Sequence, residues 1–300
     1  MLKIAFAPNY VLPLPEKHRF PMAKYKLLPE QLRYEGTVKV ENFFRPEPLS
    51  EELILETHDI KYWQKLKQLD LNKIEERRTG FPLTAELIER EITILEGSVR
   101  SALFALEYGV AMNIAGGTHH AYADRGEGFC LLNDIAVAAN YLRKHQGIRR
   151  VLVLDLDVHQ GNGTAKLFEN DPDVFTFSMH GERNYPIPKE NSDWDIGLPD
   201  NTDDSTYLKQ LDEVLEALPD LARPEFVFFQ SGVDVLESDK LGRLGLSIQG
   251  CRQRDRSVFS WCKKHGFPVA VSMGGGYSPR LADIVEAHAN TYRTAQELFF

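Results

Sequence analysis

Two carboxylates and an imidazole stand at alternate positions in Asp155-Leu156-Asp157-Val158-His159, directly after an apolar run over 151–154. Alternate residues of a strand share one face, so all three side chains can point into one site. Carboxylates beside a neutral imidazole make a donor set for a divalent metal, and buried polar groups need such a partner. The turn Gln160-Gly161-Asn162-Gly163-Thr164 follows, with a helix expected near 165–168. Solvated strand-end residues or helix caps would use the same residue types, so this stretch alone leaves both readings open.

Four further segments carry chemistry at positions of the same kind. Gly116-Gly117-Thr118-His119-His120 sets two adjacent imidazoles on a glycine turn, in a chain with only nine histidines. That pairing favours general acid/base work over a structural role. Gly126-Glu127-Gly128-Phe129-Cys130 offers flexible backbone and an aromatic, and Asn133-Asp134 then opens a helix. Gly232-Val233-Asp234 places one carboxylate just past the apolar run 226–231. Asp157, His159 and Asp234 together would give three protein ligands and one open position, the arrangement of a catalytic zinc. Iron(II) or cobalt(II) would suit the same donors. Finally, Met273-Gly274-Gly275-Gly276-Tyr277 ends an apolar run in glycines that present one phenol, a donor suited to an oxyanion.

Elements must deliver these residues, and the sequence reads as alternating strands and helices. Strands are expected over 4–7, 112–115, 151–155, 174–178, 226–231 and 269–273, and helices near 50–68, 84–108, 131–146, 205–217, 248–265 and 279–298. This order predicts a single α/β domain over residues 1–300, with a mostly parallel central sheet of about eight strands and helices on both faces. Proline-bearing stretches at 8–29 and 184–204 read as irregular loops; the second, with Tyr185, could line a pocket mouth.

Composition narrows the classes. With 43% hydrophobic and 26% charged residues, the chain is that of a globular protein. A net charge of −9 argues against nucleic-acid binding and suits a cationic partner such as a lysine-rich peptide. Cys130, Cys251 and Cys262 are too few and scattered for a disulfide framework, and no stretch reaches membrane-spanning length, so a cytoplasmic setting is expected. No motif fixes an oligomeric state.

The set GGTHHA, GFCLLND, DLDVHQGNG, FSMHG, QSGVD and GGGY resembles the zinc-dependent histone deacetylases and acetoin-utilisation proteins of the arginase/deacetylase fold. Compact length, the HQGNG form and Asp124-Arg125-Gly126 ahead of GFC look most like the class IV branch and its bacterial relatives. The resemblance implies a metal, zinc first, held by Asp157, His159 and Asp234, with His119, His120 and Tyr277 as catalytic residues. It implies that Asp155 backs His119 and Asn162 backs His120, where many relatives carry an aspartate. Gly128, Phe129, Tyr185 and Gly275 would meet substrate. Asp155, Asp157, His159, Ser178 and Met179 would hold a potassium or sodium ion.

The expected activity is hydrolysis of acetyl or longer fatty-acyl groups from acyl-lysine. Deacetylation of an acetylpolyamine or another small acyl-amide is the alternative. An arginase-like ureohydrolase is disfavoured, because one aspartate follows Val233 rather than an alternating run and Gln160-Gly161-Asn162 follows His159. A non-catalytic regulatory module is disfavoured by the presence of both histidines and Tyr277.

Overall fold

Apolar runs that are continuous rather than alternating suit strands covered on both faces, and the sheet is built from such runs. The computed structural model describes Met1–Phe300. Its strands are β1 (Lys3–Ala5), β2 (Phe43–Phe44), β3 (Val110–Asn113), β4 (Val151–Asp155), β5 (Val174–Gly181), β6 (Trp194–Leu198), β7 (Phe226–Gln230) and β8 (Val269–Ser272). They form one eight-stranded sheet in the order β2-β1-β3-β8-β7-β4-β5-β6, with every neighbouring pair parallel.

The longer helices are α1 (Lys24–Tyr34), α5 (Ala85–Tyr108), α6 (Asp134–His145), α8 (Asp204–Ala222), α9 (Ile248–His265) and α10 (Leu281–Phe299). The short ones are α2 (Glu51–Ile54), α3 (Ile60–Lys67), α4 (Lys73–Thr79) and α7 (Asn162–Phe168). One layer groups α5 with α6 and the other groups α8, α9, α10 and α1, so a single hydrophobic core runs through the sheet. Local signals set the ends. Thr84 and Ser247 accept backbone N–H groups at the starts of α5 and α9, and Gly109 and Gly266 close those helices at positive φ. No helix is long and apolar enough to cross a membrane.

Besides the unexpected two-residue strand β2, four features depart from the sequence expectation. The helix expected over 50–68 breaks into α2 and α3, because the Asp59 carboxylate accepts from Lys61 N and Tyr62 N and starts a new helix there. The segment 184–204 contains β6, a short edge strand in which Trp194, Ile196 and Leu198 alternate with Asp195 and Gly197. Helix α1 runs through Pro29 within a stretch expected to be irregular. Helix α4 starts from an Asn72/Glu75 capping box, and its polar sequence carries no apolar stripe.

Candidate active site

The carboxyl ends of β3, β8, β7 and β4 lie side by side, so the loops leaving them meet over the middle of the sheet. Open parallel sheets gather their ligands there. Asp157, His159 and Asp234 are all buried, and one ligand atom from each lies within 4.8 Å of the others. His159 Nδ1 faces Asp157 Oδ1 at 3.1 Å and Asp234 Oδ2 at 3.2 Å. Backbone N–H groups hold the carboxylates in place: Gly275 and His159 donate to Asp157 at 2.9 and 3.0 Å, and Val158 donates to Asp234 at 3.0 Å. Only glycine fits at 275, since a Cβ there would lie 1.9 Å from Asp234 Oδ2.

Charge at this cluster calls for a cation. Burial and the neighbouring Asp157 charge push the Asp234 carboxyl up to about 7. Burial opposes protonation of His159, but its hydrogen bonds to Asp157 and Asp234 lift it to about 10. A divalent ion among the same three groups would replace that proton, and two carboxylates, one imidazole and an open cavity side fit it.

The two adjacent histidines have different supports. His119 Nδ1 donates to Asp155 Oδ2 at 2.7 Å. Burial works against its charged form, yet the Asp155 and Asp157 charges raise His119 to about 9. His120 Nδ1 donates to Asn162 Oδ1 at 2.6 Å. Burial, then the charges of His119 and His159, hold His120 well below the usual imidazole range. The Asn162 amide in turn donates to the Tyr122 phenol at 3.0 Å, and that phenol donates to Glu190 Oε1 at 3.0 Å. Because a carboxylate only accepts, the chain has one direction, and it leaves His120 Nε2 without the proton. Gln160 clamps the far end: its amide donates to Glu190 O at 2.7 Å and accepts from Glu190 N at 2.9 Å.

Gly116, Gly117 and Thr118 are pinned by buried Asp134, which accepts from Thr118 N at 2.8 Å and from Thr118 Oγ1 at 2.7 Å. Phe129 adopts φ +67°, a strained position for a non-glycine residue, and Gly128 beside it sits at φ +53°. Gly128 N donates to Arg78 O at 3.1 Å and Phe129 N to Thr79 O at 2.8 Å, so α4 secures this turn. The Tyr277 ring centroid lies 5.9 Å from that of Phe129. Burial, then the Asp234 and Asp157 charges, keep its phenol protonated well above the ordinary range.

Tyr185 stands edge-on to His120 at 5.0 Å between centroids and donates its hydroxyl to Glu127 at 2.5 Å. The inner cavity is about 40 Å³ and is lined by His119, His120, Asp157, His159, Asp234 and Tyr277, with Gly128, Phe129 and Gly275 beside them. It opens into a vestibule of about 500 Å³ bordered by Phe129, Tyr185 and Tyr277. The pairing of β4 with β5 sets Ser178 opposite Asp155, and Gly181 N donates to Val158 O at 2.9 Å. That pairing brings Ser178 and Met179 alongside the 155–159 segment.

Several residues at the site escaped the sequence reading. Phe20, Tyr25 and Arg90 line the inner cavity. Lys24 is buried and donates to Gly274 O at 3.1 Å, beneath the glycine run that carries Tyr277. Arg254 is fully buried on α9 and donates to Gly232 O at 2.6 Å and Leu156 O at 3.2 Å. It therefore holds from below both loops that carry the carboxylates, while Asp255 pairs with it at 2.8 Å. A signal for this residue exists: Arg254 and Asp255 interrupt the buried stripe of Cys251, Val258, Phe259 and Cys262 on α9.

Comparison with known proteins adds to this geometry. Residues 18–292 match the histone deacetylase domain. An uncharacterized protein of Picosynechococcus sp. is 41% identical over 99% of both chains. The "probable deacetylase" of Archaeoglobus fulgidus is 32% identical over 83% of this chain and 73% of its own, and histone deacetylase 2 of Arabidopsis thaliana is 34% identical over 63% and 50%. Among solved structures, an HDAC homolog complexed with SAHA has a TM-score of 0.86 at 24% identity, covering 99% of this chain and 84% of that one. An HDAC homolog from Aquifex aeolicus has a TM-score of 0.82 at 25% identity, over 98% and 84%. These neighbours share the arginase/deacetylase fold.

Proposed function

This chain belongs to the histone deacetylase family, and from that premise we propose that it hydrolyses acyl-lysine amides, removing short acyl groups and acetyl foremost. The observation that carries this reading is the meeting of Asp157, His159 and Asp234 with His119, His120 and Tyr277 in one small buried cavity. A chamber of about 40 Å³ has room for a few water-sized groups, which favours acetyl over a long fatty chain.

Zinc is the proposed ion at Asp157, His159 and Asp234; when bound, it would polarise the acyl carbonyl and acidify water. His120, with Nε2 free, takes a proton from the attacking water as the new C–O bond forms. It then gives that proton to the amine nitrogen as the C–N bond breaks, releasing a carboxylic acid and free lysine. Tyr277 donates to the oxyanion of the tetrahedral intermediate, and the protonated His119 supplies positive charge nearby. The Gly128 carbonyl accepts the substrate amide N–H, while Phe129 and Tyr185 flank the aliphatic stem. Gly275 leaves room for the reacting groups. A potassium or sodium ion beside Asp155, Asp157, His159, Ser178 and Met179 would be structural.

The test is hydrolysis of a lysine peptide series carrying acetyl, octanoyl and myristoyl groups, with and without a chelator, beside a His120→Ala control and an acetylpolyamine. Chelator-sensitive release, fastest for acetyl and at least ~10²-fold slower in the variant, is the expected outcome. No release from any lysine peptide, or release indifferent to both chelator and variant, overturns the reading.

A further inference from the structure

We propose that the mouth of the cavity is an anion-binding rim and that the preferred substrate carries carboxylates beside the scissile amide, an inference that rests on the deacylase reading above. The chain has 44 acidic residues against 35 basic ones, so a random patch of its surface should be acidic. The vestibule runs the other way: Arg19, Arg78, Arg183 and Arg243 border it, and no carboxylate does. An adjoining groove that shares Arg19 and Tyr277 adds Lys17 and Lys240, again without a carboxylate. The overall charge suits a cationic partner, but the local field at the entrance opposes one.

Partners do not neutralise this charge. Arg183 and Arg243 share a single carboxylate, Asp200, at 3.8 and 3.3 Å. Glu127 lies 3.9 Å from Arg78 but already meets Arg125 at 3.0 Å and the Tyr185 hydroxyl at 2.5 Å. Arg19 has no carboxylate within ion-pair reach; its guanidinium lies 5.1 Å from the Phe129 ring centroid, at the wall of the tunnel. Arg78 is held at the same edge, since its carbonyl accepts from Gly128 N. The cations come from helix α4 and from three separate loops, which converge where groups flanking the acyl-lysine would lie.

Guanidinium forks pair with carboxylates in bidentate geometry, and a positive rim raises the local concentration of anions. Two sources supply this chemistry: Asp or Glu side chains next to the acyl-lysine in a peptide, or the α-carboxylate of a free N-acyl amino acid. A polyamine is the wrong sign.

The experiment compares kcat/KM for acetyl-lysine peptides flanked by Glu, Gln or Lys, together with free Nε-acetyl-lysine and its α-amide, at low and near-physiological salt. Glu flanks should exceed Lys flanks by about tenfold at low salt, with the gap narrowing as salt screens the exposed charges. In an Arg19→Gln/Arg183→Gln/Arg243→Gln variant the Glu-to-Lys ratio should fall towards one. A peptide preference with no gain for free acetyl-lysine over its amide assigns the peptide source; the reverse assigns the small acid. Neutral peptides turned over without any charge preference, or a preference for Lys flanks, overturn the inference and leave the deacylase reading standing. Should nothing be hydrolysed, the deacylase reading falls. Fluorescence anisotropy of labelled Glu- and Lys-flanked acetyl-lysine peptides on the Tyr277→Phe protein then decides the charge claim: tighter Glu binding supports it, and equal or weaker binding overturns it.

Discussion

His119 and His120 are neighbours in the chain, with ring centroids 4.1 Å apart, yet the protein builds different supports behind them. Behind His119 is a buried carboxylate, Asp155, and that imidazole is driven towards its cation. Behind His120 is a carboxamide, Asn162, then a phenol and only then a carboxylate, and burial beside His119 keeps that imidazole neutral. Two identical side chains thus acquire opposite protonation preferences: the Asp155 and Asp157 charges favour the cation of His119, while burial and the charges of His119 and His159 disfavour that of His120. One supplies charge, and the other can take up a proton and release it.

Breaking the charged arm should have the largest effect. Asp155→Asn removes the carboxylate that holds His119 and also accepts Asp157 N at 3.1 Å. Turnover of an acetyl-lysine peptide should fall on the order of 100-fold, as when carboxylates behind metal-site groups are lost. Steady-state kinetics at saturating zinc check this, and a loss below about threefold would mean that the charged arm is dispensable.

Making the arms alike should have a smaller effect of a different kind. Asn162→Asp puts a carboxylate behind His120. The folded-state proton affinity of His120 is depressed by burial and by the His119 and His159 charges, so an added negative charge must raise it. The acid limb of kcat/KM, where a neutral base is required, should then move to higher pH by about one unit. An unmoved or downward-shifted limb would remove His120 from the role of base.

The smallest effect tests only the far end of the neutral arm. Tyr122→Phe deletes the phenol between Asn162 and Glu190, freeing the amide to rotate. A fewfold fall in kcat, about the value of one neutral hydrogen bond, is expected with KM little changed. In ¹⁵N spectra of the His120 ring, a mixed tautomer should replace the single Nδ1–H form; a retained single tautomer would show that Asn162 needs no help.

Much of this site was legible because its chemistry sits at the carboxyl ends of apolar runs. Asp155, Gln230 and Asn113 each close a strand of apolar residues, and the glycine turns beyond them mark where a site would form. What was not legible arises from the approach of distant loops. Tyr122 and Glu190 meet across 68 residues, and the Gln160 clamp spans 30. No periodicity records such meetings. The arginine rim escaped for the same reason: Arg19, Arg78, Arg183 and Arg243 look like separate solvated charges until the fold gathers them around one opening. Helix α4 was missed because its polar sequence carries no apolar stripe, and strand β6 because its three alternating apolar residues are embedded in a proline-bearing stretch.

Arg254 bears on how the proposed metal ion would be acquired. Its guanidinium ties the carbonyls of Leu156 and Gly232 together from within the core, with Asp255 balancing its charge. The spacing between the two carboxylate loops is therefore set by a cation that is part of the chain and cannot diffuse away. The entropy of ordering those loops is met once, when the protein folds, rather than at each binding event. An ion taken up at the proposed site would find its donors already assembled, so that loading and exchange would reduce to shedding water and a proton, with no loop to rebuild.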